Sequence, residues 1–184
     1  MSANNGFTAA LEMVLKYEGG LVDHPDDPGG VTFRGISLRF LRVLHLDPNN
    51  DGVIDRRDII GLSDGQISVL YRERFWDAGR LGEMPAPIAL VVFDCAVNQG
   101  LGTAVKLLQK SGGVVVDGKS GPVTIAAINA KSGRSRVLRD FMARRALRYA
   151  INLKVLIFGL GWFRRLMDIH AKALVIQCKA GQTI

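Results

Sequence analysis

The residues best suited to acid–base chemistry lie between Glu18 and Ile36, where the chain reads Glu-Gly-Gly-Leu-Val-Asp-His-Pro-Asp-Asp-Pro-Gly-Gly-Val-Thr-Phe-Arg-Gly-Ile. Hydrolysis of a glycosidic bond needs one carboxyl group that stays protonated near neutral pH. It also needs, as a rule, a second oxygen donor that orients water or steadies developing positive charge. Glu18 is the candidate acid. An amphipathic helix over residues 6–17, with Phe7, Leu11, Val14 and Leu15 on its apolar stripe, delivers Glu18 beside the core, and Gly19-Gly20 stops it. Partial burial there is expected to raise the Glu18 pKa. Asp27 follows in a loop that Pro28, Gly29 and Gly30 turn back toward the helix end, and Thr32 comes after it; both are candidates for the second role. Asp23 and Asp26 are rivals to Asp27 that spacing does not rank. The same residues also suit an Asx-type turn in which Asp26 or Asp27 only caps backbone amides.

A second chemistry-bearing segment runs from Asp47 to Asp58. Oxygen side chains stand at Asp47, Asn49, Asp51, Asp55 and Asp58, which are positions 1, 3, 5, 9 and 12 of an EF-hand-like loop. Gly52 takes the sharp-turn position, the Val53 carbonyl the seventh, and Ile54 the apolar anchor. The expected ligand is a structural Ca2+ held by Asp47, Asn49, Asp51, Val53, Asp55 and Asp58, because crowded oxygens repel one another unless a cation gathers them. An ion-free Asp/Asn/Gly turn is the plain alternative. The three histidines, His24, His45 and His170, have no paired ligand spacing, so a catalytic zinc site has little support.

The elements that must position these groups are mostly helices. Residues 37–46 read as the helix leading into the loop, and Ile59-Ile60 begin a short one leading out. Ser63-Asp64-Gly65-Gln66 resembles a capping box for a helix carrying Ile67, Leu70, Tyr71 and Phe75, which Trp76 ends. Trp76 is a candidate sugar-stacking residue, and equally a core residue. Pro85 and Pro87 open a helix that buries Ile88, Val91, Val92, Cys95 and Ala96 and places Asp94 and Asn98 on one face. Asn98 is the candidate substrate contact of that pair, and Asp94 the weaker one. Residues 103–109 read as helix, 112–118 as an extended turn or short hairpin, and Pro122 begins a helix through Ala130. Two basic helices, about 135–154 and 160–179, close the chain.

The 184 residues suffice for a real core. The expected organisation is a catalytic lobe over 1–110 with the calcium-type loop inserted at 47–58. A helical lobe over 111–184 is expected to pack with it as one unit. The net charge of +7 suits an anionic polymer or surface. Basic residues spread over several segments without a helix-turn-helix, zinc-finger or aromatic RNA-binding motif argue against nucleic acid. Cys95 and Cys178 sit far apart in apolar stretches and read as core thiols of a chain made in a reducing cytoplasm. No basic region followed by an apolar stretch marks a signal peptide, and the apolar-rich region near 150–166 is interrupted by Lys154, Gly159, Gly161, Arg164 and Arg165, so no spanning helix is expected.

The Glu18, Asp27, Thr32 spacing is similar to the Glu/Asp/Thr constellation of phage-type lysozymes, with the last interval one residue short. The Glu-Gly-Gly, the Asp-Pro-Gly-Gly-x-Thr and the following Gly35-Ile36 resemble the signature of glycoside hydrolase family 108, the bacterial and phage N-acetylmuramidases. Phe75-Trp76, the stretch Phe93 to Gly100, Leu108-Gln109, Asp117 to Pro122 and Gly161 to Arg165 extend the resemblance over nearly the whole chain, while the 47–58 loop lies outside it as a local elaboration. Asp117-Gly-x-x-Gly-Pro-x-Thr also resembles segments of peptidoglycan-binding modules.

The resemblance implies a mainly α, lysozyme-like domain with a short β-hairpin at the active site. It implies cleavage of the β-1,4 bond between N-acetylmuramic acid and N-acetylglucosamine, with Glu18 as general acid and Asp27 and Thr32 positioning water or stabilising charge. Peptidoglycan is the expected partner of a monomer, and the basic C-terminal helices are a candidate contact with the anionic outer envelope. The matching context is an endolysin or secretion-linked muramidase that reaches the periplasm and cell wall after holin-type or other non-standard release. A lytic transglycosylase, a wall-binding module and a membrane-permeabilising basic protein are the rival readings.

Overall fold

The structure, a computed structural model, describes residues 3–23, 30–130 and 133–179. It is mainly α with one small antiparallel sheet, and it gathers into two compact units, one of residues 11–73 and one of residues 1–10 with 74–184. Residue 110, the expected lobe boundary, lies inside a helix of the second unit.

The 11–73 unit begins within α1 (Ala3–Leu15) and continues into the sheet β1 (Leu21–Val22), β2 (Thr32–Phe33), β3 (Ile36–Ser37), in that order, with Leu21 opposite Phe33 and Thr32 opposite Ser37. Ser37 caps α2 (Leu38–Val43) by accepting from the Phe40 N–H, and Asp55 caps α3 (Arg56–Ile60). At α4 (Asp64–Tyr71) Ser63 and Gln66 form the anticipated reciprocal capping box. Leu41, Ile59, Ile67 and Tyr71 are almost wholly buried. A π-helical stretch, Arg72–Asp77, follows directly.

In the other unit α5 (Ala86–Gln99), entered through Pro85 and Pro87, is central and buries every residue from Pro87 to Ala96. Around it pack α6 (Leu101–Gly112), α8 (Arg134–Ala150) and α9 (Val155–Lys179), while α7 (Pro122–Asn129) packs on α6 and α8. Phe7, Trp76 and Phe93 meet edge to face with ring centroids 5.5–5.9 Å apart.

Three expectations are decided by packing. The last two helices divide at residues 151–154, and α9 begins at Val155, running through Gly159 and Gly161. Gly159 is buried, and a Cβ there would meet Val155 Cγ2 at 2.8 Å, so this glycine sits in a closely packed stretch of the helix and does not break it. Residues 114–116 form no strand, so of the two readings the extended turn holds and the hairpin does not; the segment is held as a loop by buried Gln109. Its amide donates to Asp117 Oδ1, the Lys119 carbonyl and Thr124 Oγ1 and accepts from the Gly118 N–H. Cys95 is a core thiol as expected, but Cys178 is exposed, because it lies on the outer face of the last turn of α9 next to buried Gln177.

Candidate active site

Glu18 is placed by a short chain of backbone bonds. After α1 ends at Leu15, the Tyr17 N–H donates to the Val14 carbonyl at 2.9 Å, and half-buried Glu18 follows. The next carbonyl, of Gly19, accepts from the Arg34 N–H at 3.1 Å. Arg34 and Gly35 form the two-residue turn between β2 and β3, with φ of +47° and +77°. Both central residues therefore sit in the left-handed region, as the tight hairpin turn that matches strand twist demands. Tyr71, the last residue of α4 and 1 % exposed, donates its hydroxyl to the Arg34 carbonyl at 2.8 Å and so fixes the turn from below.

These contacts converge on Gly35. A Cβ at this position would lie 2.5 Å from Tyr71 Oη and 2.7 Å from Glu18 Oε2, so only glycine lets both groups approach the turn backbone. The Glu18 carboxyl is thereby seated against a rigid hairpin turn beside a buried phenol. The Arg34 guanidinium points elsewhere: it pairs with Asp64 and lies over the Phe33 ring, 5.3 Å from its centroid. Neither Gly35 nor Tyr71 stood out as a site residue in the sequence. The available signal was Arg-Gly between Thr-Phe and Ile-Ser, a glycine at the second position of a two-residue turn.

Of the other anticipated site residues, Thr32 lies on β2, partly buried, and its hydroxyl donates to the Gly30 carbonyl at 3.3 Å. Asp27 and its rival Asp26 lie outside the described residues. Asp23, the third candidate, is exposed and paired with Arg56 at 2.9 Å. Trp76 and Asn98 belong to the other unit. Trp76 is 4 % exposed and wedged between Phe7 and Phe93, so its ring serves the core and offers no face for stacking on a sugar. Asn98 is exposed, with its Oδ1 accepting from the Tyr149 hydroxyl at 2.6 Å. Its neighbour Asp94 is fully buried between Arg145 (2.5 Å) and Arg165 (2.7 Å), the tie that fastens α5 to α8 and α9.

The 47–58 loop has the turn expected of it, with Gly52 at φ +84°. Asp47 Oδ2 accepts from the Gly52 N–H (2.7 Å), Asn49 Oδ1 from the Asp51 N–H (2.8 Å) and Asp51 Oδ1 from the Val53 N–H (3.0 Å). Asp55 and Asp58 are drawn into capping α3: Asp58, 1 % exposed, accepts from the N–H groups of Asp55 and Asn49. Arg57 bridges Asp51 and Asp55 at 3.0 Å each, and its hydrogen bonds hold the Asp55 carboxyl below its ordinary pKa. Among the described residues no group of three Asp, Glu, His or Cys side chains is arranged to hold a metal ion. Asp47 Oδ1 is a buried side-chain oxygen of the loop without a hydrogen-bond partner.

Residues 11–100 match the family described as Glycosyl hydrolase 108. Among solved structures the chain is similar to that of Brucella abortus SagA, at 31 % identity over 94 % of this chain and 96 % of that one, with a TM-score of 0.81. No curated protein matches the chain.

Proposed function

We infer the reaction from one premise: the chain belongs to the glycosyl hydrolase 108 family. That membership makes it a glycoside hydrolase of peptidoglycan, of the muramidase type. The finer proposal is that it cleaves the β-1,4 bond between N-acetylmuramic acid and N-acetylglucosamine, with Glu18 donating a proton to the bridging oxygen as the sugar becomes oxocarbenium-like. The observation that carries this assignment is the seating of the Glu18 carboxyl against Gly35 and the Tyr71 hydroxyl. A general acid is effective only if its proton is held in one place, and a hairpin turn held at both the N–H and the carbonyl of Arg34 provides that constraint. Asp27 is proposed to position the attacking water, together with Thr32 on β2. The phage-lysozyme-like spacing favours inversion.

Digestion of purified peptidoglycan by the wild type and Glu18→Gln, read by mass spectrometry, tests the proposal. Hydrated fragments from the wild type and none from the variant are expected; anhydro ends would transfer the chain to the transglycosylase reading.

We propose in addition that the 47–58 loop takes Ca2+. Three features support it: the oxygen spacing, the left-handed Gly52 and the unpartnered Asp47 Oδ1. Binding would require Arg57 to release Asp51, so the ion and the Arg57 bridges are alternatives. Fixing α2 and α3 at the loop ends is the role proposed for the ion.

A further inference from the structure

The turn between α8 and α9 carries a run of exposed large apolar side chains. Leu153 is 99 % exposed, Leu156 96 %, Ile157 75 % and Ile151 71 %, and Leu147 and Leu160 extend the patch along the two helices. Burying such side chains is favourable and leaving them in water is not, so a cluster this exposed marks a contact surface. The surroundings define its partner. Arg144, Arg148, Lys154 and Arg164 flank the patch, all exposed, and the sequence has no acidic residue between Asp140 and Asp168. Aromatic rings follow in α9: Phe158 is half exposed, and Trp162, partly buried, stacks on Tyr149 with centroids 5.3 Å apart.

We propose that this tip docks on an anionic phospholipid bilayer, leucines in the acyl boundary, Phe158 and Trp162 at headgroup depth, and the Arg and Lys side chains on lipid phosphates. The combination of apolar tip, aromatic collar and basic flank is what an interfacial contact requires. An anionic polymer alone would satisfy the cations and leave the leucines in water. A second copy meeting tip to tip would bring two sets of the same cations together. No described helix is long and apolar enough to cross a membrane, so the contact is a shallow one. The proposal is independent of the Glu18 chemistry. Its consequence is to hold the protein on the membrane face of the wall.

The test is flotation of the full-length protein with vesicles of mixed phosphatidylglycerol and phosphatidylethanolamine, against phosphatidylcholine vesicles, with fluorescence recorded. Trp76 is buried and Trp162 is the only other tryptophan, so a blue shift reports insertion at the tip. Binding to the anionic vesicles, weakening as salt is raised, is expected. Leu153→Asp with Leu156→Asp should lower affinity at least about tenfold. Arg148→Glu should lower it about fivefold or more. An unchanged melting temperature in these fully exposed variants confirms that they fold. The proposal is overturned by any of four results: no flotation at low salt; flotation unaffected by the Asp substitutions; binding to lipopolysaccharide aggregates but not to phospholipid; or sedimentation showing that the tip mediates self-association or holds a protein in place of lipid.

Discussion

Gly35→Ala separates the positioning of Glu18 from the presence of Glu18. The new Cβ would lie 2.7 Å from Glu18 Oε2, whereas an ordinary contact is about 3.4 Å, so the carboxyl must retreat by about 0.7 Å. It would also lie 2.5 Å from the Tyr71 hydroxyl, which is rigid and bonded to the Arg34 carbonyl. A left-handed alanine costs about 1–2 kcal/mol, and a disturbed hydrogen bond about 1 kcal/mol more. A loss of about 2–3 kcal/mol corresponds to a fall of about 4–12 °C in melting temperature for a chain of this size. Glu18 is the flexible partner in this clash, so stability suffers little from its retreat. Activity suffers much more, because a displacement approaching 1 Å costs up to about 100-fold. Solubilisation of purified peptidoglycan should therefore show kcat reduced about 10- to 100-fold at nearly constant KM.

A second variant adds a constraint. Tyr71→Phe removes the tighter of the two clashes, so in the Tyr71→Phe background Gly35→Ala should cost less stability than it does alone, while activity stays low. A Gly35→Ala protein that loses stability yet keeps wild-type kcat would refute the claim that this turn places the acid.

Three other perturbations probe the scaffold. Asp94→Ala leaves the buried guanidinium groups of Arg145 and Arg165 without their shared carboxylate and should cost about 3–5 kcal/mol, read as a large drop in denaturant midpoint. Burial pushes the Cys95 thiol up to about 11, so it stays protonated and unreactive at pH 8; a thiol reagent should modify one cysteine, Cys178, in the folded protein and both in denaturant. Calcium at about one hundred times its dissociation constant should add about 2.7 kcal/mol of stability. Calorimetry with and without chelator checks this, and Asp51→Ala should abolish the difference.

The parts of the fold legible in the sequence were those with local causes. The Ser63/Gln66 capping box and the Pro85/Pro87 start of α5 appear where their residues dictate, because both act within one turn of the chain. The Glu18 segment stood out as the candidate site through its spacing and family pattern. Its support was not, since Gly35 and Tyr71 are separated by 36 positions and meet only through tertiary packing. The same holds for Asp94, whose partners lie on two later helices, and for Trp76, whose burial depends on Phe7 and Phe93. Gly159 misled for the reason that glycine has two uses: it ends helices where φ must be positive, and it sits inside them where another side chain needs the room.

The central claim is that one proton on Glu18 drives bond cleavage, and the direct measurement is the initial rate of reducing-end release from purified peptidoglycan by Glu18→Gln, with folding verified by an unchanged melting curve. The account predicts a fall of about 100- to 10,000-fold, the usual contribution of a general acid. A folded Glu18→Gln protein that releases ends at the wild-type rate would contradict it.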